Sequence, residues 1–101
     1  MWLFVFFDLP TKTKKERKKY TDFRRVLLKD GFIMMQFSVY ARICKGDDSV
    51  ETHKKRVKEY IPPKGNIRMI SITDLQYSKM ETLIGVKAPE EKLQKQQLLL
   101  F

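Results

Sequence analysis

Trp2-Leu3-Phe4-Val5-Phe6-Phe7-Asp8 opens the chain, an unbroken run of six apolar residues closed by a carboxylate. The run is too short to span a bilayer as a helix, which takes about 20 apolar residues. It also lacks the apolar–polar alternation of a strand with one wet face. The stretch therefore predicts a central strand buried on both faces, with Asp8 where the backbone leaves the sheet. Loops just beyond strand ends are where sheets backed by helices place their chemistry.

Beyond Asp8 the character of the chain changes. From Leu9 to Lys29 there are nine Lys or Arg residues and only two acids, Glu16 and Asp22. After a short loop at Pro10, Thr13-Lys14-Lys15-Glu16 matches a capping box, in which Thr caps the helix start and Glu reaches back to it. The helix that follows carries Tyr20, Phe23 and Leu27 on one face at spacings of three and four, with Lys14, Lys18, Arg25 and Lys29 opposite. Gly31 suits the left-handed residue that ends it. An acid at a sheet edge beside a basic helix is a place for a phosphodiester and a metal ion.

Phe32–Cys44 is β-rich but long for one strand, and a break near Gln36–Ser38 makes it two. Lys45-Gly46-Asp47-Asp48 is a turn, with Asp48 or Ser49 capping a second helix whose apolar face holds Val50, His53, Val57 and Tyr60. Pro62-Pro63 stops that helix. Lys64-Gly65-Asn66 turns into a further buried strand, Ile67–Thr73, and Met80–Ile84 is a weaker final strand before Gly85. Ala88–Gln97 is polar and linker-like, yet the chain closes on Leu98-Leu99-Leu100-Phe101, an apolar end suited to a partner surface. The order strand, helix, strand, strand, helix, strand predicts an α+β, ferredoxin-like fold. Both helices lie on one face of an antiparallel sheet, and an extra C-terminal strand follows. Residues 1–86 form the core domain and 87–101 a docking tail.

With 101 residues, 43% hydrophobic and 33% charged, the chain makes one folded domain with a solvated surface. Its net charge of +9 calls for a polyanion, either nucleic acid or an anionic membrane. One cysteine, Cys44, and one histidine, His53, exclude an internal disulfide and the usual zinc sites. The N-terminus lacks the features of a signal peptide, so a cytoplasmic setting is expected.

Four stretches resemble the second CRISPR-associated (Cas-two) family, in wording closest to members of the type II systems: Phe7-Asp8-Leu9-Pro10, Phe23 to Phe32, Gln36-Phe37-Ser38-Val39-Tyr40, and Thr73-Asp74-Leu75-Gln76-Tyr77 as a late strand and turn. The resemblance spans about residues 1–86. It implies a homodimer that joins the CRISPR integrase (the Cas-one family) in spacer acquisition and holds double-stranded DNA. It also implies a metal-dependent endonuclease of RNA or DNA, with Asp8 as catalytic residue and as ligand to Mg²⁺ or another divalent cation shared across the dimer. Where the family often begins its first helix with arginines, this chain has mostly lysines, with Arg17. The family's C-terminal segment pairs with the dimer mate or the integrase, a role that suits Leu98, Leu99, Leu100 and Phe101.

The candidate nucleic-acid contacts are Lys12, Lys14, Lys15, Arg17, Lys18, Arg24 and Arg25, since Lys and Arg on phosphates give affinity without sequence preference. Lys54-Lys55-Arg56 and Lys58 are balanced by Glu51 and Glu59. His53 and Cys44 read as core residues, and Asp74 as a turn residue or a second metal ligand. The expected chemistry is attack of an activated water on a phosphodiester, and no other acid or histidine stands out as general base. Two alternatives stay open: a DNA-binding scaffold without catalysis, and an unrelated small ferredoxin-like RNA-binding protein that stacks bases on Phe32, Phe37 or Tyr40.

Overall fold

The structure, a computed structural model, describes residues 1–85. Strands β1 (Trp2–Asp8), β2 (Ile33–Gln36), β3 (Val39–Ile43) and β4 (Asn66–Ile72) form one antiparallel sheet in the spatial order β2-β3-β1-β4. Helix α1 (Lys14–Lys29) joins β1 to β2, and α2 (Asp47–Lys58) joins β3 to β4. This is the ferredoxin-like plan expected from the sequence, with the opening apolar run as a central strand.

From Trp2 to Val5 β1 is buried on both sides, because its side chains alternate between two clusters, whereas Phe6 and Asp8 are exposed. Leu3, Val5 and Phe7 pack with Phe23 and Leu27 of α1 and Val50 and Val57 of α2, so both helices lie on one face. Trp2 and Phe4 pack on the other face with Ala41, Ile43 and Tyr77.

Helix α1 begins and ends as its sequence dictates. The Thr13 hydroxyl accepts from the Glu16 amide at 3.0 Å, and Glu16 Oε1 accepts from the Thr13 amide at 2.9 Å. At the other end the Phe32 amide donates to Leu27 O and the Gly31 amide to Leu28 O, a Schellman closure that needs the positive φ of Gly31 (+88°). Phe32 and Leu27 meet in the core, so the cap also packs.

A clamp follows the same turn. Asp30 Oδ2 lies 2.6 Å from His53 Nδ1, and its Oδ1 accepts from Arg56 Nη1 at 2.8 Å. Arg42 of β3 donates to the Asp30 carbonyl. One acid thereby ties the end of α1 to α2, while β3 holds the backbone beside it. His53 is a packed core histidine, as its place on the apolar face of α2 predicts. Cys44 is buried, and burial pushes its thiol pKa up.

The β2–β3 hairpin breaks at Phe37–Ser38, as expected, with Ser38 at φ +65°. Five expectations are corrected. Met80–Ile84 is not a strand: these residues are exposed and irregular, and β4 is followed by helix α3 (Asp74–Ser78). The Thr73 hydroxyl accepts from the Gln76 amide and Gln76 returns the bond, a capping box that ends the extended backbone at once. Tyr77 of α3 then stacks on Trp2 at 4.1 Å. Thr73–Tyr77 is accordingly a helical turn rather than a late strand and turn. Helix α2 is capped by the Gly46 backbone with no side-chain bond, and Asp48 and Ser49 lie inside it. Tyr60 falls beyond the end of α2 and is exposed. Among the described strands β4 lies at the edge of the sheet, with alternating exposure, and is not a buried one. The expected tail, 87–101, with its linker and Leu98–Phe101, lies outside the described residues.

Candidate functional site

Asp8 closes β1 directly opposite Asn66 of β4, and it is exposed. Neither ordinary structural use of a strand-end acid occurs, because its carboxylate has no hydrogen bond or ion pair among the described residues. The backbone beneath it is tightly held. Gly65, at φ +106°, approaches so closely that a Cβ there would lie 2.7 Å from the Asp8 carbonyl oxygen and 2.8 Å from Leu9 Cδ2. Only glycine fits, and the turn Lys64-Gly65-Asn66 thus fixes where Asp8 sits.

Directly opposed residues of an antiparallel pair share a face. Trp2, Phe4, Phe6 and Asp8 therefore line up with Ile72, Ile70, Arg68 and Asn66 on the face away from α1 and α2. At the Trp2 end, α3 covers this face. Towards Asp8 it is open, with Phe6 41% and Ile70 52% exposed. A groove of about 720 Å³ runs along it, lined by Phe4, Phe6, Met35, Val39, Tyr77 and Met80 among others.

The basic residues separate into two groups. Four of the seven expected nucleic-acid contacts are engaged within the chain. Arg17 Nη1 donates to the carbonyls of Thr11 and Lys12, holding the loop after Asp8. Lys18 and Arg25 share Asp22 at 2.9 and 3.6 Å, so the field of α1 is less one-signed than its sequence suggests. The hydrogen bond from Lys18 holds the Asp22 carboxyl below its ordinary pKa. Arg24 Nε donates to Tyr40 Oη at 2.7 Å.

Lys12, Lys14 and Lys15 are exposed and have no ion pair among the described residues. Lys14 and Lys15 stand in the first turn of α1, against the positive end of the helix dipole, so they raise rather than cancel the local field. The acid of that turn, Glu16, is committed to the capping box, and its hydrogen bond from the Thr13 amide lowers its pKa. Lys19 and Lys64, absent from the sequence expectation, join Lys15 around a pocket of about 270 Å³ floored by Leu9, Pro10, Pro62 and Pro63. Lys64 comes from a loop nearly 50 positions along the chain from Lys15, a proximity only the fold reveals.

As a metal centre, the described part of the chain is incomplete. No group of three His, Cys, Asp or Glu side chains among the described residues could hold an ion. Asp74 is at the opposite end of β1, 3.0 Å from the Met1 amine, and does not join Asp8. Asp8 and the Asn66 amide oxygen are the right chemistry for a hard cation, but too few, since such ions take about six oxygens.

A sequence profile described as CRISPR-associated protein Cas2 matches residues 1–80. The chain belongs to the Cas2 family. It is 48% identical over 101 residues to a Flavobacterium psychrophilum protein named CRISPR-associated endoribonuclease Cas2, a match covering 100% of this chain and 88% of that one. A Parvibaculum lavamentivorans protein of the same name is 44% identical, with all of both chains covered. The crystal structure of Streptococcus pyogenes Cas2 superposes with a TM-score of 0.62 at 23% identity, covering 82% of this chain and 99% of that one, a likeness in fold. No helix among the described residues of this Cas2 chain is long and apolar enough to cross a membrane.

Proposed function

We propose that this Cas2 protein is a cytoplasmic homodimer of CRISPR adaptation that cleaves phosphodiesters at Asp8 and grips nucleic acid by the lysines at the start of α1. The observation that carries the reading is the unpartnered Asp8 carboxylate at the mouth of an open apolar face. A second copy seated on that face buries Phe6 and Ile70 and brings two Asp8 carboxylates to one place. Relatives 44–48% identical carry the name endoribonuclease, which favours RNA as the cleaved strand.

In this reading the paired Asp8 carboxylates, supported by Asn66, would hold a divalent ion. A bound Mg²⁺ supplies activation of the attacking water and neutralises charge on the phosphate. Gly65 fixes the backbone that aims Asp8, and Arg17 holds the loop beyond it. Lys12, Lys14, Lys15, Lys19 and Lys64 hold the strand by its phosphates without reading its sequence.

The test is cleavage of a labelled single-stranded RNA in Mg²⁺ by the wild type and Asp8→Asn. A loss of about 100-fold or more is expected, the upper end of what disturbing even a supporting metal ligand costs. Equal cleavage by both proteins removes Asp8 as the centre.

A second reading, a duplex-DNA scaffold without catalysis working beside the CRISPR integrase, is favoured by one observation: no protomer holds three metal-ligating side chains among the described residues. It predicts duplex binding that survives Asp8→Asn and falls with Lys14→Glu/Lys15→Glu. In either reading Leu98–Phe101 dock the tail on the dimer mate or the integrase, and deleting residues 98–101 weakens that assembly.

A further inference from the structure

Among the described strands Arg68 is the one cation on the open face of the sheet. It is opposite Phe6, one pleat from the Asp8–Asn66 pair, and followed on the same side of β4 by Ile70 and Ile72. The chain has six arginines, all among the described residues. Five have partners: Arg17 on loop carbonyls, Arg24 on Tyr40, Arg25 on Asp22, Arg42 on the Asp30 carbonyl and Arg56 on the Asp30 carboxylate. The Arg68 side chain has no hydrogen bond or ion pair among the described residues, and it is exposed.

A guanidinium in an apolar face is costly once that face is covered, unless an anion meets it. Its diagonal neighbour Asp8 does not form an ion pair with it, although diagonal positions lie only about 7–8 Å apart, within reach of so long a side chain. No acid among the described residues meets Arg68, and with both Asp8 carboxylates of the proposed pair given to the ion, an anion brought from outside is left to meet it, close enough to Asp8 to belong to the same ligand. The planar fork of Arg suits the paired oxygens of a phosphate.

We propose that Arg68, with Asn66 beside it, forms a phosphate subsite that holds the scissile or adjacent phosphate of a single RNA strand against Asp8. This rests on the reading of Asp8 as the cleavage centre. It adds a cation that the basic helix does not supply, from the far strand of the sheet.

The experiment compares Arg68→Gln, Arg68→Lys and Asp8→Asn with the wild type in two assays, with dimer state and melting temperature recorded for each. In Mg²⁺, Arg68→Gln is expected to slow RNA cleavage about tenfold or more, as loss of a charge-assisted bidentate pair would. Arg68→Lys regains part of that loss. Without metal, anisotropy of a fluorescent single-stranded RNA is read against salt, and the slope of log affinity on log salt falls by about 0.7 in Arg68→Gln, one phosphate contact. The wild-type slope in Arg68→Gln overturns the proposal, whatever Asp8→Asn does. Cleavage by Arg68→Gln within twofold of wild type, with Asp8→Asn inactive, also overturns it. Dissociation of the dimer in both Arg68 variants assigns the residue to the interface and overturns it too. Full cleavage by Asp8→Asn with a reduced slope in Arg68→Gln strikes the Asp8 reading alone.

Discussion

Gly65→Ala isolates the turn that holds Asp8. The added methyl meets the Asp8 carbonyl oxygen at 2.7 Å, Leu9 Cδ2 at 2.8 Å and Leu9 Cα at 3.2 Å, and two of these three atoms belong to the main chain or are fixed to it. Leu9 is buried, so it has little room to turn aside. A left-handed backbone costs an L-residue about 1–2 kcal/mol, and forcing a methyl into filled space costs about 1–3 kcal/mol. The smaller entropy of the unfolded alanine chain returns about 0.4–1 kcal/mol. The net is about 3 kcal/mol, which lowers the melting temperature by roughly 12–24 °C in a domain of this size. Gly46→Ala is the control: φ there is −175°, an extended conformation any residue adopts, and nothing lies within 4 Å of the added carbon. Its melting temperature should fall within about 4 °C of wild type. RNA cleavage is then compared at a temperature where all three proteins are folded, and Gly65→Ala should be the slow one because Asp8 is displaced. A Gly65→Ala protein that melts with Gly46→Ala and cleaves as wild type refutes the argument that this glycine positions the acid.

Other outcomes follow from the same geometry. Asp30→Ala should lower stability in urea by about 2–4 kcal/mol, since His53 loses a buried partner while Arg56 keeps access to water. Tyr77→Ala should red-shift the fluorescence of Trp2, the sole tryptophan, and cost about 3 kcal/mol in the same titration. Cys44 should react with iodoacetamide far more slowly in the folded protein than in urea, because burial raises its pKa and closes off the thiol. The sign of the accompanying pH effect is fixed. The folded thiol keeps its proton where the unfolded one has lost it, so this stabilisation is complete at low pH and declines as pH rises from the unfolded thiol's pKa through the folded one. Chelation by EDTA should stop RNA cleavage and leave RNA binding by Lys14 and Lys15 intact.

Much of this fold is legible because its signals are local. The Thr13–Glu16 box and the Tyr20, Phe23, Leu27 spacing describe α1 without reference to anything else. The same kind of signal stands at α3, where Thr73 precedes Gln76 by three positions, although the resemblance reads Thr73–Tyr77 as a late strand and turn. β4 reads as buried because Ile67, Met69, Ile70 and Ile72 crowd one segment. Its edge position, and with it the meaning of Arg68, depends on strand order and so on contacts far apart in the chain. The site divides in the same way. Asp8 is visible as the acid that ends an apolar run, whereas the expected basic contacts all fall between Lys12 and Arg25, and the structure adds Lys64 from across the fold. Asp22 is one of only two acids in the basic stretch, yet it engages two of the expected contacts, Lys18 and Arg25, a competition that only side-chain geometry reveals.

The open apolar face around Phe6 and Ile70 also bears on how subunits mix. If an ion is held only where two Asp8 carboxylates meet, cleavage at low protein concentration rises with the square of the dose. A subunit carrying Asp8→Asn, titrated into wild type, removes more activity than its share of the pool, because mixed pairs are spoiled as well. At equal amounts and random pairing, one quarter of the pairs, about 25%, stay intact. A defective copy therefore behaves as dominant, a genetic property written into one side of a small sheet.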